Sequence, residues 1–348
     1  MKRALFGSLV FVLVPLAALA QGAQIPSSSP AEPTLPTPFE TAQNLAAKGR
    51  LDKAMALLDQ LAAQSPEPAG VERLRGIIFY QREDFARAID AFVKASQQDS
   101  TDRESAEMHG VSLFRLGRSA EALPLLEQAH ATVVRANIDP EYVLGLCYAD
   151  VQRYDDARHA FALQYGFAPD SAEAHLLAAR LFLRRELAAQ AAQEAHKALE
   201  INPALPLAHQ LLAEVDLAKA DISSAIVELE AERKINPLDG VLYDRLGDAY
   251  LRSQQYDQAQ QALNRAVLLE PNATAPYILL GETFLKLNQP IQALHYLDHA
   301  VKMDPSSYLT HNLLGQAYKA TGQLEEANRE FRRVVDLQPN GQPQPAGK

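Results

Sequence analysis

The chain of 348 residues has no tryptophan, a single cysteine and only 16 glycines. One thiol allows no internal disulfide and no thiolate-held metal cluster, so stability must come from a packed core. Few glycines, with abundant alanine and leucine, point to helix. Basic charge is also short, 33 Lys and Arg against 43 Asp and Glu for a net charge of −10. A nucleic-acid surface needs concentrated basic charge, which excludes that partner class. Cys147 falls inside a helical stretch and reads as a small buried apolar side chain. The chain also has no glycine-rich phosphate loop, no G-x-S-x-G elbow and no H-E-x-x-H pair. The expectation is a non-enzymatic protein with no cofactor and no metal.

Long apolar runs are missing except at the start, where Lys2 and Arg3 precede a 17-residue stretch from Ala4 to Ala20. Ala18 and Ala20 have the A-x-A spacing of a signal-peptidase site, which predicts a signal peptide over 1–20 and export to the periplasm or out of the cell. A retained anchor is the alternative, since the run is at the lower limit for spanning. Pro15 and the alanine-rich end favour cleavage, which leaves no integral membrane span. Residues 21–36 are rich in Pro and Ser, without apolar periodicity, and read as a flexible leader. Order begins at Thr37-Pro38-Phe39-Glu40, a hydroxyl N-cap, a proline at the first helical position and a glutamate at the third.

From there one pattern repeats every 34 residues. Pro169, Pro203, Pro237, Pro271, Pro305 and Pro339 place the same helix stop six times. Ala157, Ala191, Ala225, Ala259, Ala293 and Ala327 keep the spacing, and Ala54, Ala88 and Ala122 extend it toward the N-terminus with one residue inserted around 135–138. A third row is always small: Ala42, Gly76, Gly110, Gly145, Ala179, Ala213, Gly247, Gly281 and Gly315. Small residues on both helices of a unit let the two backbones approach closely. Within the ninth unit, Tyr308 to Asn340, Gly322 is placed to end the first helix in a left-handed conformation.

These rows resemble the tetratricopeptide repeat family, whose units carry a small residue, an aromatic three positions on, a second-helix alanine and a closing proline. The resemblance implies an all-α fold, a right-handed α-solenoid of nine helix-turn-helix units over 37–341, with 342–348 as a disordered tail. The aromatic row reads Leu45, Phe79, Leu113, Tyr148, Phe182, Asp216, Tyr250, Phe284 and Tyr318. Asp216 breaks it, and Glu232 breaks a row of alanines later in the same unit. Each is expected to reach solvent or a cation, with Arg245, Lys197 and Lys219 as candidates, because an unpaired buried charge costs several kcal/mol.

Stacked units create an extended concave groove that takes partner peptides or helices. In the family the resemblance implies, positions two, five, nine, twelve and thirteen of the first helix face it. The candidate partner-binding residues are therefore Phe39, Ile77, Tyr80, Val111, Phe114, Tyr142 and Leu146, an apolar half, followed by the charged Arg180, Arg184, Asp248 and Arg252. Packing between repeats is the other role open to several of them. His175, His209 and His311 share the fourth position of their units and are expected to pack between helices. His295 and His299, four apart on one helix, could share a metal but have no assured third ligand.

The resulting expectation is an exported scaffold that binds one or more proteins in its groove, in the envelope or outside the cell. The alternatives are a structural component that self-associates as a weak homo-oligomer through the open face of the last repeat, and an assembly factor for a pilus or secretion complex.

Overall fold

The computed structural model describes residues 36–130 and 140–337. The signal segment, the leader up to residue 35, the inserted residue around 135–138, Pro339 and the tail lie outside them. Among the described residues there are eighteen α-helices in nine consecutive pairs.

The chain separates into two compact units, the first ending at Gln64 and the second beginning at Ser65. In the first, α1 (Pro38–Ala47) packs against α2 (Leu51–Ala62). The expected capping box starts it, with Thr37 N–H donating to Glu40 at 2.7 Å and Glu40 N–H to the Thr37 hydroxyl at 3.2 Å. Ala42, Ala54 and Leu58 are fully buried there and form its small core.

The second unit holds α3 (Val71–Gln81), α4 (Phe85–Gln98), α5 (Arg103–Arg115), α6 (Ser119–His130), α7 (Pro140–Asp150), α8 (Tyr154–Tyr165), α9 (Ala172–Arg184) and α10 (Ala188–Ile201). It continues through α11 (Ala208–Ala218), α12 (Ile222–Ile235), α13 (Gly240–Arg252), α14 (Tyr256–Leu269), α15 (Thr274–Lys286), α16 (Pro290–Met303), α17 (Tyr308–Ala320) and α18 (Leu324–Leu337). Each helix packs on the next in sequence. Several odd helices also touch the odd helix two further on: α3 with α5, α5 with α7, α9 with α11, α13 with α15 and α15 with α17. No pair of even helices makes comparable contact among the described residues. The odd helices therefore form the inner layer of the stack.

The small row sets the spacing within each pair. A Cβ added at Gly281 would lie 2.3 Å from Leu297 Cγ, and one at Gly247 the same distance from Leu263 Cγ. Phe92, Leu126, Phe161 and Phe331 face Gly76, Gly110, Gly145 and Gly315 in the same way, always from 16 residues further on. The second-helix alanines complete the close approach and are buried in every pair, from Ala54 to Ala327. Between the paired helices the chain takes one left-handed residue each time, Gly322 in the last pair and a non-glycine such as Glu83, Gln152 or Ala220 in most others. The following N–H closes the turn onto a carbonyl of the first helix, as Gln323 does onto Tyr318 at 2.9 Å.

The fourth-position histidines do pack between helices, each against a glutamate of its own pair. His175 Nδ1 lies 2.6 Å from Glu194, His209 Nδ1 2.6 Å from Glu228 and His311 Nδ1 2.6 Å from Glu330.

Replacing Gly281 by valine should overpack the α15–α16 contact and lower stability by about 1–3 kcal/mol. In Gly281→Val/Leu297→Ala, which roughly conserves volume, that loss should shrink strongly. Urea unfolding of the four species measures the coupling; strictly additive losses would show that the two side chains do not share the space.

Candidate partner-binding surface

The inner layer of the second unit carries ten of the eleven candidate groove residues, and Phe39 stands half-buried on α1 of the first unit. They divide by burial. Val111 and Leu146 are only 2% and 9% exposed and belong to core clusters, the first with Leu113 and Leu126, the second with Phe161 and Phe182. These two serve inter-repeat packing and offer a partner almost nothing. Ile77, Tyr80, Phe114 and Tyr142 are half-buried. Tyr80 lies edge-on to Phe85 at 5.4 Å, and the Arg115 guanidinium sits 5.8 Å from the Tyr80 ring and 4.8 Å from that of Phe85. Tyr142 leans on Phe161 at 5.9 Å. These contacts restrict the rings, so that any contact made to them would cost little side-chain entropy. Arg180 and Arg184 are exposed on α9, and Asp248 pairs with Arg252 one turn along α13 at 3.6 Å.

Three further inner-layer side chains carry unpartnered oxygens, and of these Glu107 and Gln210 escaped the sequence reading, whereas Asp244 falls among its groove-facing positions. Glu107, Gln210 and Asp244 occupy the fifth position of their repeats, on α5, α11 and α13, and each has a buried oxygen with no hydrogen-bond partner. Burial, together with the Glu104 and Glu141 carboxylates, pushes Glu107 up to about 7. Burial and the neighbouring Asp248 push Asp244 up to about 6. The signal for all three was available as one row of the repeat, but the row mixes Phe39, Arg73, Glu107, Tyr142, Leu176, Gln210 and Asp244 and has no common chemistry.

The two irregular acids behave differently from each other. Asp216 is half-buried, and desolvation raises its carboxyl while Lys219 pulls it back. Arg245 and Lys197 are engaged elsewhere, with Glu214 and with Glu194. Glu232 corrects the expectation that it would reach solvent or a cation, since it is completely buried. Its carboxylate accepts the Leu207 N–H at 2.8 Å and the Asn236 side-chain amide. Leu207 precedes α11, which has no side-chain cap of its own, so Glu232 caps that helix from α12. The free N–H groups and dipole of a helix start supply the positive partner.

Arg158 was also missed, standing in a row with Met55, Ile89, Leu123 and Ile226. It is 5% exposed and binds Asp155 at 2.7 Å, Asp170 at 2.8 Å and the Pro169 carbonyl at 3.1 Å, with Glu194 at 3.6 Å. Its role is to join α8 to the turn before α9 and to α10. Cys147 is buried as expected, its thiol pushed up to about 12 by burial and Asp150, far from reactive thiolate. His299 stacks on Tyr277 with ring centres 4.4 Å apart, and His295 meets Tyr296 edge-on at 5.2 Å. No group of three metal-ligating side chains occurs among the described residues. No described helix is long and apolar enough to cross a membrane.

Residues 27–201 match the family model of the T7SS, ESX-1 secretion system protein EccA1, N-terminal domain. Residues 241–273 and 278–341 match two tetratricopeptide repeat models. No curated protein matches the chain. Among solved structures, similar ones include YrrB, titled a TPR protein with an unusual peptide-binding site, at 22% identity and a TM-score of 0.49, covering 53% of this chain and 95% of that one. MamA from Desulfovibrio magneticus RS-1 is 21% identical with a TM-score of 0.47, covering 50% of this chain and 98% of its own. Pseudomonas aeruginosa pilF is 21% identical with a TM-score of 0.43, covering 49% and 78%.

A carboxyl raised to about 6 in the fold, against its ordinary value near 4 when unfolded, destabilises the protein wherever it is ionised. The penalty is complete above both values, fades as pH falls through 6, and is gone below 4. Asp244→Asn should therefore raise the melting temperature at pH 8 by about 1–3 °C and leave it unchanged near pH 4. An equal effect at both pH values would show that the charge is not the cause.

Proposed function

This chain belongs to the tetratricopeptide repeat family, with residues 27–201 in the family of the EccA1 N-terminal domain, and we propose that it binds a peptide or helix of a partner protein along its odd helices. The repeats make it a protein–protein interaction scaffold. The observation that carries the finer reading is the inner layer itself. Half-buried Tyr80, Phe114 and Tyr142 pack against the core clusters on three successive odd helices, and exposed Arg180 and Arg184 follow on the next. Rigid aromatic anchors beside a charged stretch suit an extended segment with an apolar part and an ionic part. The work is done without catalysis.

Its place of action is the cell envelope or the outside of the cell, a reading supported by Lys2, Arg3, the apolar run and the A-x-A site ending at Ala20. The name of the EccA1 family refers to a secretion system, in keeping with a role for this chain in assembling an envelope or secretion complex.

Self-association is the second reading, favoured by one observation. On α18, Leu324 is 60% and Val335 69% exposed. Arg329, Arg332 and Arg333 on the same helix make that face wetter and oppose it.

Affinity capture from an envelope extract with the wild type and with a Tyr80/Phe114/Tyr142 triple alanine variant should recover a partner with the first and lose it with the second, the bait itself beginning at Gln21. Identical captures would sink the groove reading. Sedimentation over a hundredfold concentration range should give a monomer mass that drifts upward only at the top of the range; a fixed monomer removes the self-association reading.

A further inference from the structure

We propose that the inner layer between α11 and α13, at Gln210 and Asp244, is a subsite for one lysine or arginine side chain of the bound segment. This rests on the reading that a partner segment lies along the odd helices and adds the chemistry of one of its residues.

Gln210 and Asp244 hold the same position in consecutive repeats. The Arg245–Glu214 ion pair ties α13 to α11 beside them. Gln210 is 8% exposed, and its Oε1 has no hydrogen-bond partner. Asp244 is half-buried and its Oδ1 likewise has none. An unmade hydrogen bond at a buried acceptor is a standing cost to the fold. Two at the same position of consecutive odd helices, on the face proposed for binding, call for a donor from outside the chain.

The nearby cations do not fill this role. Arg245 is committed to Glu214, and Arg252 stands against Asp248. Burial first, and then Asp248 one turn along α13, make Asp244 hard to ionise, and the two carboxylates add to the negative potential at each other. An anionic residue of a partner is excluded by that potential. An apolar one would seal both oxygens unpaired. A divalent metal needs six or more oxygen ligands, or three fixed ones and water, and no group of three ligating side chains gathers here among the described residues. An ammonium or guanidinium group supplies several donors and a positive charge, satisfying both oxygens and relieving the repulsion between the two aspartates.

Selection from a random dodecapeptide display library on the full chain tests this. On the wild type the selected peptides should share apolar positions and one position enriched at least fivefold in lysine or arginine. On Asp244→Asn and on Gln210→Leu the basic enrichment should return to the library level with the apolar positions kept. For a selected peptide, replacing the basic residue by norleucine should weaken binding to the wild type about tenfold and to Asp244→Asn by less than twofold. Asp244→Asn removes a repulsion, so melting curves of both variants separate lost recognition from lost folding. Apolar enrichment without a basic position, or basic enrichment unchanged by Asp244→Asn, overturns the subsite and leaves the groove reading standing. No enrichment on the wild type overturns both.

Discussion

The structure depends on one steric fit, a residue with almost no side chain on the odd helix of each pair and a large one 16 residues later on the even helix. With Leu297 Cγ 2.3 Å from where a Gly281 Cβ would be, the two helices can approach only because that atom is missing. The same fit recurs through Phe92, Leu126, Phe161, Leu263 and Phe331. Interiors packed to this density do not absorb an extra methyl group freely. The pair distance in turn sets how the next pair docks, and so which helices lie inside the stack. The one pair that departs, Ala179 with Ala195, has small residues on both sides and sits in the cluster where Phe161 and Phe182 approach at 6.3 Å.

Rows of one residue type at fixed spacing were legible because backbone demands are the same in every unit. The turn after each odd helix needs a left-handed residue, the helix stop needs a proline or its equivalent, and the close approach needs glycine or alanine. Interactions between two rows were not legible. His175, His209 and His311 are visible as a row, but their glutamates 19 residues on become partners only when the pair folds. Arg158 stands in a mostly apolar row, and nothing in that row marks Asp155, Asp170 and Glu194 as its partners. Glu232 was misjudged for a related reason. The reading sought a cation among side chains, whereas the positive partner was the backbone at the start of α11.

The face proposed for binding was legible in outline and not in detail. Helical register places both Val111 and Tyr80 toward the inner layer, yet Val111 is short and disappears beneath its neighbours, while Tyr80 is long enough to stay in view. Burial thus turns a list of positions into a smaller set of aromatic anchors and a charged continuation. The fifth-position acids and glutamine complete that face, carrying polar oxygens that the fold leaves without partners. A scaffold that keeps such groups on its inner layer holds part of its stability in reserve for the complex, since each unmade bond is a cost that a bound donor removes.

If a partner lies along the odd helices, as proposed, the even helices face away from it. A photo-crosslinking residue placed at Tyr80 or Arg180, and separately at Ile291 on α16, which is 73% exposed, would test it directly in the native host. A discrete crosslinked protein is expected from the two inner positions and none from Ile291; adducts at Ile291 with the inner positions unmodified would overturn the proposed face.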